Sequence, residues 1–182
     1  MENPNSNKPL KTIFAPLAMA AGLIFFQAYM IAPLIPKLAT IFNVSEQRIG
    51  LIVPAYMLAY GVSVLFYGFI SDKFGRKRIL QISLLAFIVL TAITALVQSA
   101  SQLILLRLLT GLGASGVVPM SLALVGDMFK PSERGRPLGL LFAAMEGGMA
   151  LGSTAGVMLE PYTGWRMLFL ATALLAALAL WI

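Results

Sequence analysis

Residues 68–78 read Gly68-Phe-Ile-Ser-Asp72-Lys-Phe-Gly75-Arg76-Lys77-Arg78 and lie between two apolar runs. The stretch holds four cations and one acid, whereas the flanking runs carry almost no charge. About 20 apolar residues make one helical crossing of a bilayer, and each flanking run is long enough for one. The pattern is typical of a membrane protein whose charged turn lies in water between two spanning helices.

The composition of the whole chain agrees with this class. Of 182 residues, 59% are hydrophobic and 11% are charged, whereas about 25% of the residues in a typical soluble domain are charged. The net charge of +6 comes from cations in short connections between apolar runs. Such clustering indicates membrane topology rather than nucleic-acid binding, and lipid is the expected surrounding.

Two residue types are missing from the sequence. It has no Cys and no His, so disulfides, thiolate metal sites and imidazole ligands are excluded. The commonest general base is excluded with them. We therefore expect neither a conventional hydrolase nor a metalloenzyme, and we predict no catalytic residues, no metal ligands and no cofactor.

Hydropathy predicts six transmembrane helices, which we number as spans 1 to 6. The fold class is therefore an all-α membrane protein with one six-helix bundle over 13–182, preceded by a polar, disordered tail over 1–12. Span 6 ends at Ile182 without a basic flank, which predicts that this helix is clipped. The predicted spans are 13–37, 47–70, 78–98, 102–126, 137–158 and 165–182.

The distribution of Lys and Arg predicts the orientation. Nine cations fall on the side of the N-terminus and three on the opposite side, so the positive-inside rule places both termini in the cytoplasm. The nine are Lys8, Lys11, Lys73, Arg76, Lys77, Arg78, Lys130, Arg134 and Arg136. The three are Lys37, Arg48 and Arg166.

The charged turn resembles a family signature. The loop between helices two and three of the major facilitator superfamily reads roughly G-x-x-x-D-R-x-G-R-R/K. Lys73 stands where that family usually has Arg. The residues in register are Gly68, Asp72, Gly75, Arg76 and Lys77.

Three further stretches resemble the same family. Arg107-Leu-Leu-Thr-Gly-Leu-Gly-Ala-Ser is similar to its fourth-helix motif, and Gly164-Trp-Arg with Phe169 is similar to the entry to its sixth helix. Span 5 resembles the antiporter motif G(x8)G(x3)GP(x2)GG, with Ser153 in place of the Pro and Val157 in place of the last Gly. The matching glycines are Gly139, Gly148, Gly152 and Gly156.

The resemblance implies the N-terminal half of a twelve-helix transporter that works by alternating access with a second six-helix bundle. The motifs are most similar to those of bacterial drug/proton antiporters. This resemblance implies proton-driven export of small, partly hydrophobic compounds across the inner membrane. One alternative is a metabolite carrier with other coupling. Another is a half-transporter or interaction module that works only by pairing with a second half, and a reading frame that continues past Ile182 would argue against it.

The positions of the charges in the turn predict specific contacts. Asp72 ends a helix, where an acid opposes the negative helix terminus, so we expect it to contact the N-terminus of a neighbouring helix. The resemblance implies that this helix belongs to the second bundle and that the contact forms part of a gate. Gly68 would give that helix room, and Arg76 is expected to pair with Asp127 at the inner end of span 4. The alternative is that the cations only satisfy the positive-inside rule, which is sufficient for Lys77.

Two ionisable residues fall within spans, and each must face a cavity or a partner because a charge there costs at least about 2.5 kcal/mol. Glu146 lies about 160° and 120° around the helix from Gly148 and Gly152 of the antiporter motif, and we predict that it carries the coupling proton with Arg107 tuning it. The alternative is an Arg107–Glu146 pair that only staples two helices. Gln27 and Tyr29 are predicted to line the cavity.

One pattern imitates a nucleotide site. Gly111-Leu-Gly-Ala-Ser-Gly116 satisfies G-x-G-x-x-G, but that fingerprint requires a preceding strand in a βαβ unit. Here it lies inside an apolar helix, where small residues allow neighbouring helices to approach closely. We therefore interpret it as a packing feature.

Overall fold

A computed structural model describes residues 8–181, with side chains described from 14 to 180. The predicted tail covers 1–12, and its first seven residues, 1–7, lie outside the described residues. Helix α1 begins at Lys8, so the last five residues of that tail are helical. Pro9 falls in the first turn of α1, where a missing N–H leaves no intrahelical bond unmade.

The first three spans are helical along nearly their whole length. Span 1 changes to a 3-10 turn at Ala32–Leu34, with Pro33 in its first positions, because proline cannot continue the hydrogen-bonding of an α-helix. Ser45 caps the start of span 2 by accepting a 3.3 Å hydrogen bond from the Arg48 amide. The helices are α1 (Lys8–Met30), α2 (Ile35–Phe42), α3 (Glu46–Gly50), α4 (Ile52–Phe74) and α5 (Arg76–Thr94).

The other three spans complete the described part of the bundle. Span 4 is broken at Ser115 and Gly116, and a short turn of helix follows span 5. Within residues 8–181, five helical segments are long and apolar enough to cross a membrane, and α10 is a shorter apolar helix. The helices are α6 (Ala100–Ala114), α7 (Val117–Met128), α8 (Gly135–Met158), α9 (Glu160–Thr163) and α10 (Trp165–Leu178).

The six spans pack as one all-helical bundle, as the hydropathy predicted. The largest interface joins α1 to α8, so spans 1 and 5 are partners. Span 4 packs against both α4 and α5, and α10 packs against α5 and α1. One apolar core includes Phe87 and Leu80, and a second includes Trp165 and Phe169.

Two connections are set by glycines with positive φ. Gly75 (φ 88°) precedes α5, and Gly164 (φ 77°) precedes α10. Glycine adopts this conformation without the steric cost that a side chain incurs. Both turns are therefore tight, and each brings an Arg into the first turn of the helix that follows, Arg76 and Arg166.

Candidate functional site

A buried cation lies at the centre of the bundle. Arg107 on α6 is 1% exposed, and its Nη1 donates a 2.6 Å hydrogen bond to Gln27 Oε1 on α1. Its Nε donates to the Ile52 carbonyl at 3.4 Å. The guanidinium also lies over the ring of Tyr56, 4.2 Å from its centroid. Arg107 therefore joins spans 1, 2 and 4.

The polar cluster extends to span 3 through Gln27. The Gln27 Nε2 atom donates to Thr91 Oγ1 at 3.5 Å, and both side chains are fully buried. An amide in an apolar span needs such partners, which is why Gln27 was a candidate from sequence. Tyr56 and Thr91 were missed because hydropathy does not indicate which face of a helix meets a distant Arg.

The structure does not bring Arg107 and Glu146 together. Glu146 on α8 is exposed and forms no ion pair with any residue that the structure describes. All the described partners of Arg107 are neutral. An Arg107–Glu146 ion pair is thus absent among the described residues, and the two side chains lie in different environments.

The opposite face of α8 packs against α1 at backbone contact. A Cβ added at Gly148, Gly152 or Gly156 would collide with the carbonyl oxygens of α1, those of Gly22, Phe26 and Met30 respectively. Ser153, the substitute for the motif proline, is half-buried. Gly139 differs, because a Cβ there would meet nothing within 4 Å.

The charged turn contains one ion pair. Arg76 Nη1 lies 2.5 Å from Asp127 Oδ1, and it also donates to the Ala123 carbonyl at 3.1 Å. This contact ties the start of α5 to the end of α7. The two side chains are 35% and 55% exposed, so the pair lies at the aqueous edge of the bundle.

The other residues of the turn have no comparable contacts. Asp72 and Lys77 are exposed and form no ion pair within the described part of the chain. Gly68 is exposed, and a Cβ there would meet nothing within 4 Å. The side of α4 that carries Gly68 and Asp72 is therefore exposed in this bundle, whereas Ser71 between them is buried.

Tyr29 lines a cleft between α1 and α4. The cleft has a volume of about 90 Å³, and its polar side chains are Tyr29, Tyr56 and Tyr60. Tyr29 is half-buried and stacks on Phe25, with 6.4 Å between ring centroids. The side of α1 that carries Phe25 and Tyr29 thus meets this cleft, whereas Gln27, on the other side of the helix, meets the buried cluster.

The G-x-G-x-x-G pattern lies on span 4 and packs against its neighbours. A Cβ at Gly111 would collide with the Tyr56 carbonyl, and one at Gly113 would come within 3.0 Å of Ala86. A Cβ at Gly116 would collide with Ser83 and the Tyr67 ring. These glycines let spans 2 and 3 approach span 4, and no strand precedes them among residues 8–181.

Comparison with known proteins places this geometry in a family. A model of the Major Facilitator Superfamily matches residues 17–182. The puromycin resistance protein pur8 of Streptomyces alboniger is 33% identical over 147 residues, which cover 80% of this chain and 29% of that protein. The putative niacin/nicotinamide transporter NiaP of Bacillus subtilis is 29% identical over 91% of this chain and 40% of its own length.

The fold is shared with a solved transporter. A bacterial homologue of the human lysosomal transporter Spinster, in an inward-facing and occupied conformation, superposes with a TM-score of 0.86 at 19% identity. The match covers 100% of this chain and 44% of that one, so the chain spans less than half the length of the proteins described here. From the family match and the shared six-span fold, the chain belongs to the Major Facilitator Superfamily of transporters.

Proposed function

We propose that this chain forms the N-terminal six-helix half of a proton-coupled exporter of small, partly hydrophobic compounds. The observation that carries the proposal is the position of Glu146. It is the acid within span 5, exposed on the face of α8 that points away from α1, and it has no ion-pair partner among the described residues. The relationship to a puromycin resistance protein supports a drug as substrate.

The chemistry of Glu146 suits a carrier of one proton. A carboxylate within the hydrocarbon region is costly unless it meets water or a partner. The protonated acid is neutral and avoids this cost. Alternating exposure to the two sides of the membrane would therefore load Glu146 with a proton on one side and release it on the other.

Transport also requires a second six-helix bundle, which we propose docks on α4 and the exposed face of α8. Large apolar side chains of α4 are exposed in the bundle, among them Leu58 (68%), Leu65 (68%) and Phe69 (80%). Asp72 lies at the end of the same helix. The C-terminal end of its own helix is electrostatically unfavourable for Asp72. A helix N-terminus from the second bundle would stabilise this carboxylate through its positive dipole end.

We assign the bundle over 13–182 to the inner membrane of the cell, with both termini in the cytoplasm. Arg76–Asp127 would then hold the cytoplasmic ends of spans 3 and 4 together beside the gate. The nine-to-three distribution of cations supports this orientation. Alternating access would rock this half against the second bundle around a site near the bilayer midplane.

The test is proton-driven transport by the complete transporter in proteoliposomes with an imposed pH gradient. Glu146→Gln mimics the protonated acid, so it should abolish concentrative transport of puromycin while leaving puromycin binding intact. Glu133→Gln is the matched control, because Glu133 lies in the exposed turn Pro131–Glu133 outside the spans. Concentration of puromycin by the Glu146→Gln variant in response to the gradient would refute Glu146 as the proton site.

A second candidate is a metabolite carrier with other coupling, and the relationship to a niacin/nicotinamide transporter favours it. Transport measurements in the same proteoliposomes distinguish the metabolite carrier from the proton-coupled exporter. Niacin uptake that continues without a proton gradient, together with no transport of puromycin, would support the carrier. Gradient-dependent puromycin transport would support the exporter.

A further inference from the structure

The cleft between α1 and α4 is lined by four aromatic rings. Phe25 and Tyr29 come from α1, and Tyr56 and Tyr60 come from α4. The rings form two stacked pairs, with centroids 6.4 Å apart in Phe25–Tyr29 and 5.9 Å apart in Tyr56–Tyr60. The remaining lining side chains are Ile24, Ala28 and Met57. Such a wall offers apolar area and ring faces for a planar group.

One hydroxyl at this wall has no partner. Tyr56 is 2% exposed, and its hydroxyl is buried without a hydrogen bond to any residue that the structure describes. A buried polar group without a partner costs free energy, and buried tyrosine hydroxyls usually find one. Because Tyr56 also lines the cleft, a ligand oxygen that reaches this buried hydroxyl would supply the missing acceptor.

The positive charge of Arg107 next to Tyr56 favours ligands with an electron-rich oxygen over cationic ligands. The Arg107 guanidinium covers one face of the Tyr56 ring at 4.2 Å, and its hydrogen bonds go to the neutral acceptors Gln27 and Ile52. No acid forms an ion pair with it within the described ranges. A cationic ligand would meet an uncompensated positive charge, whereas an electron-rich oxygen would be attracted by it.

We propose that this cleft is a binding subsite for an aromatic ring that carries an oxygen acceptor, a carbonyl or a carboxylate, to which Tyr56 donates. A closed cavity of about 150 Å³ holds benzene, and the cleft has about 90 Å³, so it would enclose part of a single ring and leave the rest of the ligand outside. The assignment rests on the proposed export function, and it narrows the substrates to aromatic compounds with an oxygen acceptor.

The test measures binding to the complete transporter in nanodiscs without any pH gradient, by saturation-transfer difference NMR. The probes are acetophenone, benzoate and benzyltrimethylammonium, and the signal from empty nanodiscs is subtracted. Both oxygen-bearing probes should bind more tightly than the cation. Tyr56→Phe should weaken their binding about two- to tenfold, the worth of one hydrogen bond, and leave binding of the cation unchanged.

The variants separate a binding role from a folding role. Tyr56→Phe keeps the ring over Arg107 and removes a hydroxyl without a described partner, so thermal stability should not fall. Tyr67→Phe is the matched control on the same helix, because Tyr67 donates to the Leu112 carbonyl and does not line the cleft. It should leave the affinity of all three probes unchanged.

Two results would overturn the subsite. One is cation binding as tight as acetophenone binding, and the other is an acetophenone affinity that Tyr56→Phe leaves unchanged. Neither bears on proton coupling, because no gradient is present. If the Glu146→Gln variant still concentrates puromycin while the binding measurements agree with the subsite, the subsite stands and only the assignment of Glu146 as the proton site is lost.

Discussion

Arg107 and Gln27 are joined by a 2.6 Å hydrogen bond between spans 4 and 1, and both side chains are buried. The acceptor of this charged donor is thus a neutral amide. A hydrogen bond to a charged group contributes about 1.5–3 kcal/mol, and a buried charge that loses a partner is strongly destabilising. Much of the stability of the four-span junction should depend on this one contact.

Gln27→Leu should therefore destabilise the complete transporter by about 2 kcal/mol, because it removes an acceptor from a buried cation. The measurement is the thermal unfolding midpoint of the purified protein in detergent. Gln27→Glu retains an acceptor oxygen and should stay close to the parent. The Gln27→Leu/Arg107→Leu double variant should be more stable than Gln27→Leu alone, and strictly additive losses would contradict the coupling.

The glycines of α8 offer a matched pair of substitutions. Gly152→Ala should destabilise by about 1–3 kcal/mol, the range for overpacking, because the new Cβ collides with the Phe26 carbonyl. At Gly147 on the same helix an added Cβ meets nothing within 4 Å, and alanine favours a helix over glycine by about 0.5–1 kcal/mol. The midpoint for Gly147→Ala should equal or exceed that of the parent. Equal losses in both variants would show that close packing is not the reason for these glycines.

The Arg76–Asp127 pair should act on transport more than on stability. Because both side chains are partly exposed, the pair is worth less than about 1 kcal/mol. Arg76→Asp should reduce puromycin efflux at matched protein levels, and the exchange Arg76→Asp/Asp127→Arg should restore part of it. An exchange no better than the single variant would argue against a role for the ion pair itself.

Asp72→Asn should impair efflux far more than membrane insertion. The acid opposes the dipole of its own helix, and it has no ion-pair partner in the described residues. We therefore expect Asp72 to act through a contact with the proposed second bundle. Efflux is measured in cells with matched amounts of complete transporter. Unaltered efflux would mean that the turn serves only as a topology signal.

Orientation can be tested with single cysteines in this Cys-free sequence. Gln47 and Lys77 are suitable because both are exposed, whereas their neighbours Asn43 and Gly75 have positive φ. A membrane-impermeant maleimide applied to intact cells should label Gln47→Cys and not Lys77→Cys. Labelling of position 77 alone would reverse the proposed orientation.

The spans could be predicted because each depends on local hydropathy, and the breaks in span 1 follow from its prolines. The contact between Arg76 and Asp127 could also be predicted, since both charges lie at helix ends on one side of the membrane. Partners within the bundle depend on which helix faces meet, and this is a long-range property. For this reason charge matching suggested Glu146 beside Arg107, where the structure has Gln27, Tyr56 and Ile52.

The contacts between α1 and α8 have a mechanical consequence. Gly148, Gly152 and Gly156 meet the backbone at Gly22, Phe26 and Met30, with four-residue steps on both helices. A slide of one residue would bring side chains to positions where only hydrogen atoms fit, so we expect α1 and α8 to move as one rigid unit. A displacement of Glu146 during transport would then also displace Gln27 and Tyr29 on the other helix.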